Sequence, residues 1–211
     1  MAALHRVSTD GPVPVVVWPE LFELADPART KCVDQIARML CDERLIVLQH
    51  FADHCLLPDL KSEALAGRSF RVTATEREDE VWSEHQIEPG GHLWTAMTSP
   101  MTENLIVCAL ERPIFIRRGW ANVYECGEKI GWHLDGEGDL QLVLCLERPT
   151  SGGIFLASLR GCVAEINLRA GDALLFDATR LSHATTRVKA TNQRRITSVI
   201  RFYALPVPLQ E

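Results

Sequence analysis

His133 and Asp135 lie two positions apart at the end of Asn122-Val123-Tyr124-Glu125-Cys126-Gly127-Glu128-Lys129-Ile130-Gly131-Trp132-His133-Leu134-Asp135. On a strand, residues i and i+2 project from the same face, so an imidazole and a carboxylate would be presented side by side. A third ligand has to come from a strand folding back beside them. His183 is the one histidine downstream of Asp135, 50 positions after His133. Two histidines and a carboxylate on one face leave coordination positions open, the arrangement suited to non-haem Fe(II) and oxygen chemistry. An isolated His-x-Asp arises easily by chance. Here Gly171-Asp172-Ala173-Leu174-Leu175-Phe176-Asp177, a turn and a buried strand, comes just before His183 and would deliver it.

Next comes Arg195-Ile196-Thr197-Ser198-Val199-Ile200-Arg201. The two-residue period puts Arg195, Thr197, Val199 and Arg201 on one face and Arg194 on the other, in solvent. An arginine pointing into a barrel needs an anionic partner, because an unpaired buried charge is very costly. A dicarboxylate would serve, gripped by the planar guanidinium through two parallel hydrogen bonds. The alternative, strongest for Arg201, is pairing with surface acids.

The elements that must position these groups fall into two stretches. Val13 to Val17 reads as an edge strand. Asp26-Pro27 starts a helix running to about Asp42, with Val33, Ile36, Ala37 and Leu40 at helical spacing. A buried strand over Leu45 to Phe51, a helix over Pro58 to Ala66 and a helix from Ser99-Pro100 ending before Pro113 follow. After Pro113 short β-rich runs succeed one another: 114–117, 120–125, 130–135, 140–146, 154–158, 163–168, 173–176, 183–188 and 195–203. Such spacing indicates an antiparallel sandwich or barrel, with the helices first. Residues 71–98 carry charges, Trp82, His85, His92 and Trp94 without a period, and read as a lid. Glu76 to Glu80 reads as a wet surface. One domain over 1–211 is expected, with 1–112 as helical support and lid and 113–204 as the core.

The chain has 211 residues, enough to bury a core without disulfide staples. Its net charge of −6 makes nucleic acid a poor partner. No apolar run reaches the roughly 20 residues of a membrane span, and no secretory signal is expected at the N-terminus. Seven cysteines without a CxxC pair, Cys32, Cys108, Cys145 and Cys162 among apolar neighbours, read as reduced core residues in the cytoplasm. His50, His54 and Cys55 have zinc-like spacing if helical, although the run before them reads as a strand. Trp132 would face away from the metal as core packing.

From Trp120 to Tyr203 the sequence resembles the Fe(II)/2-oxoglutarate-dependent dioxygenases. The likeness rests on an ordered set: Asn122-x-Tyr124-x-x-Gly127, His133-x-Asp135, Gly152-Gly153, Gly171-Asp172 to Phe176, His183, Arg195 and Thr197. Asn122, Tyr124 and a second arginine six after the first are most similar to the alkylated-nucleobase demethylases. The twelve-residue step from His183 to Arg195 is closer to the prolyl-hydroxylase-like members. The resemblance implies a mainly β fold, a double-stranded β-helix (jelly roll, cupin-like) with helices packed on one sheet. It implies Fe(II) on His133, Asp135 and His183, with 2-oxoglutarate and O2 as cosubstrates and ascorbate allowed as a reductant. Arg195 would grip the distal carboxylate of 2-oxoglutarate, helped by Thr197 and Tyr124. Asn122 and Arg201 would lie near the iron-side carboxylate or form a satisfied polar pair. A carboxylate at Asp135 favours hydroxylation over halogenation.

The leading expectation is a hydroxylase of a small molecule, an amino acid or a natural-product intermediate, releasing succinate and CO2. The alternatives are a nucleobase or protein-side-chain oxygenase or demethylase, and a non-catalytic barrel that binds 2-oxoglutarate or iron. Substrate-selecting residues are expected in loops and strand ends: Trp82, His85, His92, Trp94, residues 136–139, and Arg117 or Arg118. Glu84, His85 and His92 line the mouth or are simply solvated.

Overall fold

The computed structural model describes residues 7–8, 13–19, 24–73 and 80–206. These form a mainly β protein with four helices, α1 (Asp26–Glu43), α2 (Leu57–Ala66), α3 (His92–Met97) and α4 (Pro100–Leu110). The strands are β1 (Val7–Ser8), β2 (Val15–Val17), β3 (Leu45–Gln49), β4 (Ser69–Thr73), β5 (Val81–Ile87), β6 (Ile114–Tyr124) and β7 (Ile130–His133). They continue with β8 (Leu140–Glu147), β9 (Phe155–Leu159), β10 (Cys162–Ile166), β11 (Ala173–Asp177), β12 (His183–Thr185) and β13 (Arg195–Ala204). A nine-stranded sheet runs β1-β2-β3-β11-β8-β13-β6-β5-β4, and a four-stranded sheet runs β10-β9-β12-β7.

Alternation along the strands separates two cores. Ile196, Ile200 and Phe202 of β13, with Leu142 and Leu144 of β8, pack under the helices against Ile36, Leu93, Leu105 and Ile106. Val143 and Cys145 of β8 and Val199 of β13 pack instead against Phe155, Ala157 and Ala164 of the smaller sheet. The helices thus cover one face of the large sheet, while its other face meets the small sheet and carries the polar residues described below. Each fully buried Leu or Ile stabilises this arrangement by about 1.5–3 kcal/mol.

The helix signals hold at the level of single residues. In α1, Pro27 sits in the first turn, Cys32, Val33, Ile36, Ala37 and Leu40 are buried, and Arg44 closes the helix in the left-handed region at φ 63°. Asp26 lies inside the first turn, where its charge suits the helix dipole, and Ala25 takes the cap position. Ser99 caps α4 by accepting a hydrogen bond from the Thr102 N–H.

Several expectations are corrected. β2 lies between β1 and β3 rather than at the edge, and its pairing with β3 is parallel, since α1 supplies the crossover. Residues 114–124 are one strand, continuous through Gly119. The expected lid is largely built into the large sheet: β4 pairs with β5 and β5 with β6, and α3 follows. Of the acidic run, residues 76–79 lie outside the described residues and Glu80 is buried. Trp132 is 41% exposed and packs in no core, because β7 ends the small sheet. Of the four cysteines read as core, Cys32 and Cys145 are buried, Cys108 is half-buried and Cys162 is exposed at the start of β10, the opposite end strand of that sheet. No described helix is long and apolar enough to cross a membrane.

Candidate metal centre

β7 and β12 are antiparallel neighbours, and their register sets His133 directly opposite His183. The ring centroids are 4.2 Å apart. β7 stops at His133, so Asp135 lies just past the strand rather than on it. Its N–H donates to the Ala178 carbonyl (3.1 Å), which anchors it beside the loop leading into β12. The potential ligand atoms of His133, Asp135 and His183 all lie within 4.8 Å of one another. His50, His54 and Cys55 form no such group among the described residues.

Both histidines are oriented from behind. His133 Nδ1 meets the Gly131 carbonyl at 2.8 Å and His183 Nδ1 meets the Leu181 carbonyl at 2.9 Å. A carbonyl can only accept, so Nδ1 carries the proton and Nε2 keeps its lone pair for a metal. Burial, and then the His133 charge, push the His183 pKa down to about 4. The ring therefore stays in its neutral, ligating form. In the metal-free protein a depressed histidine pKa costs the fold nothing while the unfolded chain is also neutral, and destabilises it once the unfolded chain takes up the proton. Stability should thus be level above about pH 6.5 and fall toward about pH 4, by ~2 kcal/mol at about pH 5. Urea midpoints of metal-free protein across this range would test it; a flat profile would contradict it.

Asp135 is divided between two tasks. Its Oδ1 forms an ion pair with Arg201 Nη2 at 2.7 Å, while its Oδ2 is buried without a hydrogen-bond partner among the described residues, 3.7 Å from His183 Nε2. Arg201 is itself only 4% exposed. Its Nε and Nη2 both donate to Gln141 Oε1, at 3.1 and 2.9 Å, and its guanidinium lies 5.0 Å from the Trp120 ring centre. Gln141 and Trp120 thus hold Arg201, and Arg201 holds Asp135 in a one-oxygen orientation. Space for this is made at Gly138 (φ +83°), where a Cβ would stand 2.4 Å from Arg201 Cγ. The bonds of Arg201 to Asp135 and Gln141 settle the alternative of surface pairing: they are buried, and the exposed Glu137 adds only a longer 3.5 Å contact.

Gln141→Leu should loosen this support and weaken divalent metal binding by about 10–100-fold while leaving the three ligands in place. Metal titration of the variant by calorimetry checks this, and unchanged affinity would refute the support role.

Arg195 is 4% exposed and forms no ion pair or hydrogen bond with a described residue. Its guanidinium packs 5.4 Å from the Tyr124 ring centre. Tyr124 is buried, which pushes its pKa up to about 12, so it is a neutral phenol at any ordinary pH. Beside these groups the Thr197 hydroxyl and the Asn122 carbonyl oxygen are buried without hydrogen-bond partners among the described residues. All of them line one cavity of about 280 Å³ with His133, Asp135, His183 and Arg201. The donor set fits a divalent metal: the Nε2 atoms of two imidazoles and a free carboxylate oxygen. A buried cation beside orphaned polar groups likewise fits a carboxylate ligand.

The other expected site residues divide. Trp82 and Arg118 line the same cavity. Trp94 packs toward the helices and lines a neighbouring cavity, His85 lies on the opposite face of β5 from Glu84, and His92 is exposed at the start of α3. Sequence reading passed over Gln141, the one polar residue inside the apolar run Leu140 to Leu146, and Trp120, which lies beneath both Arg118 and Arg201. A lone amide in a fully buried strand was the available signal.

No family profile matches the sequence, and no curated protein matches it. Solved structures do. An oxidoreductase of the 2OG-Fe(II) oxygenase family from Burkholderia pseudomallei superposes with a TM-score of 0.68 at 17% identity, over 81% of this chain and 90% of that one. A Pseudomonas putida prolyl-4-hydroxylase gives 0.65 at 16%, over 81% and 98%. SnoN, a non-heme alpha ketoglutarate-dependent epimerase from nogalamycin biosynthesis, gives 0.68 at 12%, over 83% and 84%. SnoN has also been solved with Fe3+ and alpha ketoglutarate. At these identities the likeness establishes a shared fold.

Proposed function

We propose that the protein is an Fe(II)- and 2-oxoglutarate-dependent oxygenase that hydroxylates a C–H bond of a small molecule. The observation that carries this is the convergence of His133, Asp135 and His183 at 4.8 Å or less in one cavity with the buried Arg195, which has no ion pair among the described residues. The shared fold adds support, and the two facing sheets are read as its double-stranded β-helix, with residues 1–112 as support for a core over 113–204.

His133 Nε2, His183 Nε2 and Asp135 Oδ2 would hold the iron, and Arg195 would grip the distal carboxylate of 2-oxoglutarate with Thr197 and the phenol of Tyr124 as hydrogen-bond partners. Asn122 offers a further polar contact. Bound there, iron with 2-oxoglutarate and O2 would supply the oxidation, releasing succinate and CO2 as oxygen enters the substrate. The protein's part is orientation. Its backbone carbonyls fix the imidazoles, Arg201 fixes the carboxylate, and Val143, Phe155 and Val199 keep the cavity wall dry.

The test is anaerobic titration with Fe(II) and 2-oxoglutarate, followed by the weak visible charge-transfer band of the paired cofactors. A band, followed by succinate release in air, is expected. No band, with iron and 2-oxoglutarate unbound, would sink the oxygenase reading. A band without substrate-stimulated turnover on a panel of metabolites would favour a binding-only barrel.

A further inference from the structure

β6 and β13 fall out of step at one point. Gly119 pairs with Ile200 and Ile116 with Phe202, so Arg117 and Arg118 of β6 face the single residue Arg201 of β13. Two residues against one make a β-bulge, which re-aims side chains that would otherwise alternate. All three guanidiniums converge on Glu137, in the loop between β7 and β8. Arg117 Nη1 lies 3.3 Å from its Oε2, and Arg118 Nη2 and Arg201 Nη1 lie 3.4 and 3.5 Å from its Oε1. Each contact is longer than the about 2.7–2.9 Å of a charge-assisted hydrogen bond. Arg201 has Asp135 as well, whereas Arg117 and Arg118 share this one carboxylate at long range.

The charge balance points the same way. Arg117, Arg118, Arg195 and Arg201 stand around the metal cavity and its outer wall against Glu84, Asp135 and Glu137. Iron(II) would add two positive charges and 2-oxoglutarate two negative, which leaves one cation over. Arg195 is assigned to the cosubstrate and Arg201 to Asp135, so the surplus falls on the bulge pair. Of that pair, Arg118 lines the cavity with His133, Asp135 and His183. Its guanidinium lies over the Trp120 ring, 4.9 Å from the centre. That stacking holds the group by its flat face, and its N–H donors, which lie in the plane, stay able to grip a carboxylate. The side chain is 58% exposed and within reach of a solute. Glu84 accepts from Trp82 Nε1 at 3.3 Å and forms no ion pair with a described residue, so it does not answer Arg118.

Resting on the oxygenase reading, we infer that the substrate is a small molecule bearing a carboxylate, which binds Arg118, with Arg117 beside it, in place of Glu137. The rest of the substrate extends into the cavity that holds His133 and His183. Glu137 occupies the two arginines until the substrate displaces it, and exposed ion pairs of this length are weak enough to be displaced.

Pentanoate, the isosteric neutral pentanamide and the cationic pentylamine test this on the Fe(II)- and 2-oxoglutarate-loaded protein, under anaerobic conditions and at constant ionic strength. Binding is read by tryptophan fluorescence, since Trp82 and Trp120 line the cavity. Pentanoate should bind on the order of tenfold tighter than pentanamide, with pentylamine weakest. Arg118→Gln, at an exposed position that the fold tolerates, should make pentanoate and pentanamide equal. Glu137→Gln removes the internal competitor and should tighten pentanoate about threefold. A purely structural role for Arg118 would instead weaken all three probes together. The inference is overturned if pentanoate shows no advantage, if its advantage survives Arg118→Gln, if Glu137→Gln binds it no more tightly, or if no probe binds at millimolar concentration. It is also overturned if pentanoate bleaches the charge-transfer band, which would place the acid at Arg195 in competition with the cosubstrate. The same band separates the two proposals. A band without a preference for the acid refutes only the substrate assignment. Arg118-dependent pentanoate binding in a protein that gives no band refutes the oxygenase reading and leaves an anion-binding cleft.

Discussion

Asp135→Ala should abolish substrate oxidation and also lower stability by about 3 kcal/mol or more. Two causes act together. The metal loses one of three ligands, and Arg201, 4% exposed, loses the carboxylate that its Nη2 meets at 2.7 Å. Breaking a buried pair from one side leaves an uncompensated charge, which costs about 3–5 kcal/mol. The retained bonds to Gln141 place the expectation at the lower end. The two causes separate in a double variant. Asp135→Ala with Arg201→Met removes the stranded charge and should recover most of the lost stability, but none of the metal binding or turnover. Thermal denaturation and succinate assays on both variants check this. Full activity in Asp135→Ala would overturn the ligand assignment, and an unrecovered double variant would overturn the account of Arg201.

Arg195→Met should have opposite effects on stability and function. Arg195 is a buried cation with no ion pair to a described residue, so an apolar side chain of similar length should stabilise the ligand-free protein by about 1–3 kcal/mol. For a chain of this size that is a rise of a few degrees in Tm, at about 2–4 °C per kcal/mol. Affinity for 2-oxoglutarate should meanwhile fall at least ~30-fold, since losing one side of a buried charge-assisted pair costs about 2–5 kcal/mol. Arg195→Lys keeps the charge without the two parallel donors and should lie between. Calorimetric 2-oxoglutarate binding and melting curves measure the two effects on the same samples. A lower Tm with unchanged binding would show that Arg195 is structural. Gly153 adds a related constraint: a Cβ there would stand 3.1 Å from Arg195 Cδ, so the turn before β9 is cut to fit this side chain.

What the sequence could disclose follows from which periodicities survive around a polar cavity. β13 kept its two-residue alternation because one face, Ile196, Ile200 and Phe202 with only Ser198 among them, is buried against the helices. Arg195, Thr197, Val199 and Arg201 therefore stood out as a set, and the structure puts all four on the cavity wall. The histidines were readable for the same reason, their strands being short and their spacing fixed. β5 was hidden. Its cavity face is Trp82, Glu84 and Gln86, its other face includes Ser83 and His85, and neither alternates in hydrophobicity. A strand whose exposed-looking face is a polar cavity wall reads as an irregular loop. Gln141 was hidden in the reverse way, inside a run so apolar that it registered only as core. Trp132 misled because a tryptophan beside a ligand suggests packing, and strand order, which leaves β7 at the end of its sheet, cannot be read from one strand's sequence.

The pairing of His133 with His183 also bears on how the chain folds. The two imidazoles belong to strands separated by 50 positions, and between them the chain must lay down β8 through β11. Contacts of such sequence separation form slowly, because their loop-closure entropy precedes any gain from pairing. A metal at this triad would therefore arrive after the sheets have closed, as a late clamp rather than a nucleus. Its effect would fall on the rate of opening: the loaded protein should unfold more slowly than the metal-free protein, with little change in how fast either folds.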